Sequence, residues 1–206
     1  MWSRPDPNVL VASRTALVVF DMLECYRPEI ESSGVLPQAR KLVELCRDAG
    51  VLVCFARADH RTDGADFSRV VADTDRDFVP WTADNPQPSR PSENGPKDYR
   101  SLAELGQQPG DIDVPKHRWN AFHGTALDLT LRVQNIDSVL IIGGSTHVGV
   151  ASTVYAGRDL DYQMIVVRDA CTGRREQRDY FCDVIFPRMC RVRTVDDIPA
   201  MLRAGI

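Results

Sequence analysis

The sequence predicts an α/β protein: a three-layer, doubly wound, mostly parallel sheet of six strands flanked by helices. Short apolar runs, which suit strands buried on both faces, alternate with segments whose apolar residues recur at helical spacing. The first three elements follow in β-α-β order, with more than about a dozen residues between the two strands, as a right-handed crossover requires. Together these features indicate a parallel sheet with helices on both sides.

Each predicted strand is a short apolar run. The first covers residues 15–21, reads T-A-L-V-V-F-D and ends in a carboxylate. The other five are 51–56, 113–116, 139–142, 164–167 and 192–194. Helices are predicted over 37–49, 125–134, 148–158 and 180–186. A last helix opens at 194–197, where Thr194 or Asp196 can serve as the N-cap.

The chain from about 60 to 112 interrupts this alternation. It contains six of the 13 prolines, together with Trp81, and is rich in Asn, Ser and Asp, which predicts a loop with short helical pieces. It has too few apolar residues to form a core of its own, so we expect residues 1–206 to form a single domain. A loop of this length is usually functional, and we expect a lid or a subunit arm.

Composition restricts the partners of the chain. The 25 basic and 29 acidic residues are scattered and give a net charge of -4, which argues against nucleic acid. No apolar run approaches the roughly 20 residues that cross a bilayer, and no signal peptide is visible, so we expect a cytoplasmic protein. The six cysteines lack metal-type spacing with each other or with histidine, so we expect free thiols, no metal and no cofactor.

Three candidate functional segments follow predicted strands. Asp21 ends the first strand, Lys116 ends the third, and the loop 143–149 follows the fourth. Ligands bind beyond the carboxyl ends of the strands in an open parallel sheet, so these segments mark a candidate site. An Asp–Lys pair there would shift the pKa of both groups, although it could equally serve stability alone. The loop lacks G-x-G-x-x-G and G-K-[ST], which argues against nucleotide binding.

Three segments also carry a resemblance to a known family. The first is the apolar strand that ends in Asp21 and Met22. The second is 116–127, which fits the pattern K-x-x-x-x-A-F-x-x-T-x-L. The third runs from Ile142 through the glycine loop to Cys171. The sequence resembles the isochorismatase-like hydrolases, which include nicotinamidases, N-carbamoylsarcosine amidases, ureidoacrylate hydrolases and isochorismatases.

The resemblance implies roles for the candidate residues. Asp21 would transfer protons, and Lys116 would be the third member of a triad whose nucleophilic cysteine falls on Gly149. The resemblance further implies a cis peptide at Gly144–Ser145 and oxyanion donors at the amides of Ser145 and Gly149. Glycine closes the covalent route at position 149. Isochorismatases also have glycine there, and their Asp protonates a vinyl ether, but Ser145 stands where they carry an aromatic residue.

Other pocket residues are expected from the same resemblance. Candidate substrate-binding residues are Cys25, Arg57, Trp119, Phe122, Thr146 and His147. Cys25 is also an alternative nucleophile, although a pocket-lining or buried thiol is its ordinary role. Nicotinamidases bind zinc through an Asp and several His after the second strand, and the only trace here is Ala58-Asp59-His60, so no metal is predicted.

We therefore expect a hydrolase that acts on a small polar substrate, either a vinyl ether or an amide-like bond. Asp21 would transfer the proton and Lys116 would support it, with no nucleophile at Gly149. Two alternatives stay open: a catalytically inactive relative that binds a small molecule, and an amidase that uses another nucleophile. Because relatives are dimers to tetramers, we also expect a homodimer or homotetramer.

Overall fold

The structure is a computed structural model that describes residues 6–61, 65, 66, 68, 70 and 99–203. Its strands are β1 (Leu10–Val11), β2 (Thr15–Phe20), β3 (Leu52–Ala58), β4 (Ile112–Lys116), β5 (Ser138–Gly143), β6 (Gln163–Cys171), β7 (Arg191–Arg193) and β8 (Leu202–Arg203). Its α-helices are α1 (Arg27–Ser33), α2 (Leu36–Asp48), α3 (Leu127–Val133), α4 (Ala151–Asp159), α5 (Arg175–Tyr180) and α6 (Ile198–Met201).

Six strands form one sheet in the order β4-β3-β2-β5-β6-β7, and every neighbouring pair is parallel. This confirms the predicted doubly wound, six-stranded α/β fold. The chain adds strands on one side of β2 as far as β4 and then returns to the other side with β5. The carboxyl ends of β2 and β5 therefore lie side by side where the strand order reverses, the place where open α/β sheets bind ligands.

The sheet separates two apolar layers. Leu17 and Val19 of β2 face the layer built by α2 and α6, whereas Ala16, Val18 and Phe20 face the layer of α3 and α4. Side chains of a strand alternate between its two faces, so one continuous apolar run supplies both layers. Burial of each large side chain contributes about 1.5–3 kcal/mol before the entropic cost of folding is counted.

Some elements differ from the prediction. β1 and β8 form a separate two-stranded parallel sheet that was not predicted, because two residues carry no periodic signal. Helix α1 was also missed; of its residues only Ile30 is buried, so its sequence shows no apolar face. The predicted helix 148–158 begins earlier, as a π-helical turn over Thr146–Val150 that leads into α4. The last helical segment has the predicted start, where Thr194 and Asp197 form a capping box.

The interrupting segment is described only in part. Leu102 and Leu105 are buried in the core, and Ser101 pairs with Leu23 in an isolated antiparallel bridge, so the end of this segment packs against the domain. Trp81 and the prolines from 80 to 96 lie outside the described residues, and the lid or arm therefore stays a prediction. Within the described ranges, no helix has the length and apolar character of a membrane span. All six cysteines are free, and four of them are buried.

Candidate active site

Asp21 and Lys116 form a direct ion pair at the carboxyl edge of the sheet. Lys116 Nζ lies 2.6 Å from Asp21 Oδ2, and the lysine side chain is 4% exposed. The backbone brings them together, because β3 lies between β2 and β4 and Ala58 pairs in register with Lys116. The N–H of Ala58 donates to Asp21 Oδ1 over 2.7 Å. Two residues that are far apart in the sequence thus meet across three adjacent strand ends.

Asp21 leaves the sheet in a left-handed backbone conformation, with φ at 48°. Few residues other than glycine adopt this region, although Asp tolerates it better than most. Its own N–H still donates to the carbonyl of Ala56 over 2.9 Å, so the last sheet hydrogen bond is kept while the side chain turns over the strand ends. Such local strain, of about 1–3 kcal/mol, often accompanies functional positions.

The environment of Asp21 favours proton transfer. Burial raises the pKa of Asp21 above its usual value of 3.8, and the charge and hydrogen bond of Lys116 oppose that rise, as does the Ala58 N–H. Desolvation is the largest of these causes, so the protonated form is more accessible than in an ordinary aspartate. A carboxyl with a raised pKa next to a fixed ammonium suits general acid–base chemistry.

Phe20 contacts the lysine of this pair. The ammonium of Lys116 lies 4.3 Å from the centroid of the Phe20 ring, a cation–π geometry. Phe20 itself is buried at the end of β2, immediately before Asp21. The sequence showed Phe20 only as one apolar residue of a strand, so its place beside the charged pair was not predicted.

The glycine loop continues β5 beside the end of β2, which carries Asp21. Gly143 has φ at +103°, and a Cβ built on it would lie 1.9 Å from the carbonyl oxygen of Phe20, so only glycine fits. A Cβ on Gly144 would lie 1.7 Å from Thr172 Oγ1. The peptide bond between Gly144 and Ser145 is cis, as the resemblance implied. A close approach to backbone at Gly143 and to a side chain at Gly144 thus accounts for the paired glycines.

Hydrogen bonds hold the turn that carries Gly149. The N–H groups of Val148 and Val150 both donate to the carbonyl of Ser145, each over 3.2 Å, and Thr146 N–H donates to the carbonyl of Thr172. The Thr153 hydroxyl donates to the carbonyl of Gly149 over 2.8 Å and accepts the N–H of Ala121 over 3.0 Å. Thr153 therefore ties the glycine loop to the segment that follows Lys116.

A cavity opens above the pair, and the predicted residues divide into two groups around it. Asp21, Lys116, Gly144, Ser145 and Gly149 line it, and so do Trp119 and His147 from the predicted substrate-binding set. The remaining members of that set, which are Cys25, Arg57, Phe122 and Thr146, do not form part of its described wall.

Each of these four side chains has a contact or position that explains its absence. Arg57 forms a bidentate pair with Asp113 on the neighbouring strand. Phe122 stacks on Tyr162, with ring centroids 5.6 Å apart. The Thr146 hydroxyl is buried and donates to the carbonyl of Thr172. Cys25 is half-buried in a 3₁₀ turn, and the next residue, Tyr26, reaches the cavity instead.

A histidine pair adjoins the cavity, and the sequence did not predict it. Asp66 Oδ2 lies 3.0 Å from Nδ1 of His117 and 3.4 Å from Nδ1 of His60. Two imidazoles and a carboxylate match a metal donor set. The same carboxylate also accepts the N–H of Arg61. His117 is far from His60 in the sequence, and the pairing of β3 with β4 brings the two side by side.

The chain belongs to the isochorismatase family. Residues 15–197 match the Isochorismatase domain. The isochorismatase family protein YwoC of Bacillus subtilis is 34% identical over 190 residues, which cover 89% of this chain and 92% of that protein. The ureidoacrylate amidohydrolase RutB of Stutzerimonas stutzeri is 32% identical over 188 residues, which cover 82% and 73%.

Solved structures agree with this assignment. An isochorismatase family protein from Burkholderia thailandensis superposes with a TM-score of 0.77 at 27% identity, and the match covers 94% of this chain and 97% of that one. The chain is therefore a hydrolase of the isochorismatase family, as its sequence predicted.

Proposed function

We propose that the chain hydrolyses a small polar substrate by proton transfer at Asp21, with support from Lys116 and without a covalent intermediate. One observation carries the proposal: a buried Asp21–Lys116 pair, 2.6 Å apart, faces the cavity next to Gly149, which has no side chain to act as a nucleophile. The raised pKa of Asp21 and the strain at its backbone support the same role. The reaction then needs water as the attacking group.

Two bond types fit this arrangement. With a vinyl ether, the protonated Asp21 donates its proton to the terminal carbon, and water adds to the resulting oxocarbenium ion before the C–O bond breaks. With an amide-like bond, the Asp21 carboxylate takes a proton from water as the water oxygen attacks the carbonyl carbon, and the proton passes to the leaving nitrogen. The amides of Ser145 and Gly149 would then stabilise the oxyanion. Lys116 keeps the carboxyl in place in both reactions.

The charge of the cavity favours a substrate with an anionic group. On the described wall, Lys116, Arg118, Arg174, Arg175 and Arg178 are cationic, against the two acidic residues Asp21 and Glu29. Beside Arg178, the side-chain oxygen of Gln177 is buried with no hydrogen-bond partner among the described residues, so it can accept a substrate N–H. A carboxylate at one end and an N–H at the other would match these groups.

The test is turnover of three probes: isochorismate, ureidoacrylate and N-carbamoylsarcosine. We expect Asp21→Asn to reduce kcat by at least about 10²-fold, the lower end of what a general acid–base residue contributes. Asp59→Asn is the matched control, because Asp59 lies just after β3, is about half exposed and does not line the cavity. Cys25→Ser should keep full activity, and intact-protein mass spectrometry during turnover should show no adduct.

Several outcomes would refute this mechanism. Unchanged turnover in Asp21→Asn removes proton transfer at that residue. A trapped acyl-enzyme, or loss of activity in Cys25→Ser, supports an amidase that uses another nucleophile. Tight binding of a probe with no turnover of any of them supports a non-catalytic relative.

We also propose that the chain forms a homodimer or homotetramer. Leu129 and Val133 on α3 are 67% and 68% exposed, and Tyr155 on α4 is also exposed, which leaves large apolar side chains on one helical layer. Size-exclusion chromatography with light scattering tests this, and a monomer at micromolar concentration would contradict it.

A further inference from the structure

The Phe20 ring occupies the space in which a side chain at position 149 would stand. A Cβ built on Gly149 would lie 2.2 Å from Cε1 and 2.5 Å from Cζ of that ring. Carbon atoms in favourable contact are about 3.5–4.0 Å apart, so any side chain at this position collides with the ring. Phe20 is buried and packs in the apolar layer of α3 and α4, and it also lines the cavity, so a side chain at position 149 requires the ring to shift from this packed position.

The obstacle at Gly149 differs in kind from the obstacle at Gly143. Gly143 meets the carbonyl of Phe20, which is backbone, and its own φ of +103° disfavours any other residue. Gly149 meets only the Phe20 side chain at these short distances, and it lies in a helical turn. A smaller residue at position 20 would therefore free position 149, whereas no side-chain exchange frees position 143.

We propose that Phe20 is a specificity-determining residue that excludes a side-chain nucleophile at position 149 and so reserves the Asp21–Lys116 pair for attack by water. The proposal rests on the proposed function for its chemical meaning, but its steric part can be tested without turnover. The ring that closes position 149 also presents its face to the Lys116 ammonium, at 4.3 Å. One side chain thus fills the space of a nucleophile and holds the cation beside Asp21.

The experiment is a double-mutant cycle with Phe20→Val and Gly149→Cys, read by thermal unfolding. Phe20→Val alone should lower Tm because it leaves a cavity beside Gly149. Gly149→Cys alone should lower Tm because the new Cβ overlaps the ring. In the Gly149→Cys background, Phe20→Val should raise Tm, because the two volume changes compensate. Phe20→Leu replaces Phe20→Val if the latter does not fold, and the same sign reversal is expected.

A chemical measurement complements the unfolding data. The thiol introduced by Gly149→Cys should react with iodoacetamide about tenfold faster in the double variant than in the single variant, because the smaller residue at position 20 leaves it accessible. Peptide mapping separates it from the six native cysteines.

Two controls define specificity. Phe186 is buried in the same apolar layer but does not line the cavity, so Phe186→Val should lower Tm further in the Gly149→Cys background. Gly143→Ala should not be rescued by Phe20→Val. The proposal is overturned if Gly149→Cys keeps the parent Tm, or if Phe20→Val lowers Tm equally with and without Gly149→Cys. Neither result depends on Asp21 chemistry, so a failure here is distinct from a failure of the proposed function.

Discussion

Replacement of Lys116 by methionine tests whether the pair at the strand ends functions as a buried ion pair. The change keeps most of the aliphatic length and removes the ammonium. Of the described hydrogen bonds to the Asp21 carboxylate, the one from the backbone N–H of Ala58 then remains. Removal of one partner from a buried ion pair costs about 3–5 kcal/mol. In a chain of this size each kcal/mol lowers Tm by about 2–4 °C, so we expect a loss of about 10 °C at pH 7.

The pH dependence of this loss follows from the sign of the Asp21 shift. Lys116 opposes the effect of burial on the pKa of Asp21, so its removal raises that pKa further. A raised folded-state pKa stabilises the fold below the unfolded-state pKa, and this contribution is lost as pH rises through the folded-state value. The Tm difference between parent and Lys116→Met should therefore be small near pH 3.5 and grow towards neutral pH.

Thermal melts across this pH range measure the effect, with Lys41→Met as the matched control. Lys41 pairs with Asp196 at 2.6 Å, but the two side chains are 54% and 75% exposed, so removal should cost no more than about 1 kcal/mol. A Lys116→Met protein that melts within about 2 °C of the parent at pH 7, with no dependence on pH, would show that the pair is solvated and would refute the reasoning.

Two further predictions use other parts of the site. The pH profile of kcat/KM should contain an Asp21 limb above the ordinary pKa of 3.8, because burial raises the pKa of Asp21. Activity should fall with rising pH if Asp21 is the acid and rise if it is the base, so the direction identifies the bond type. A profile that is flat from pH 4 to 8 would contradict both. Thr153→Val should reduce the free energy of unfolding by about 1–3 kcal/mol, because it leaves the buried N–H of Ala121 without its acceptor. Denaturant unfolding measures this effect, with Ser152→Ala on the same turn as the control. Equal stability of the two variants would refute the prediction.

The fold was predictable because it depends on patterns that are local in the sequence. β2 and β5 are continuous apolar runs. In the helical segments between the strands, apolar residues recur at helical spacing. The alternation of these two patterns determines the fold class and the order of elements. The positions of Asp21 and Lys116 followed from the same patterns, since both stand at strand ends that a parallel sheet must bring to one edge. Short elements such as β1 and α1 lack a periodic pattern and were missed.

The finer geometry of the site was not predictable, because it depends on register and on which face a side chain occupies. Arg57 was expected at the pocket from the family resemblance, but its guanidinium pairs with Asp113 across the β3–β4 ladder. His60 and His117 are far apart in the sequence, and only the pairing of Ala58 with Lys116 brings them together. No sequence pattern around either histidine contains that information.

Gly149 has a different meaning in the structure from the one that the sequence suggests. Taken alone, a glycine where the family pattern carries cysteine indicates a group that has been lost. A simple loss would leave an open space beside Asp21, and water in that space would favour the ionised carboxylate. Phe20 instead fills the space with an apolar ring, and burial is the largest influence that raises the pKa of Asp21. The glycine and the ring together therefore fit an aspartate whose pKa lies above its ordinary value, which is the property on which the proposed hydrolysis by water depends.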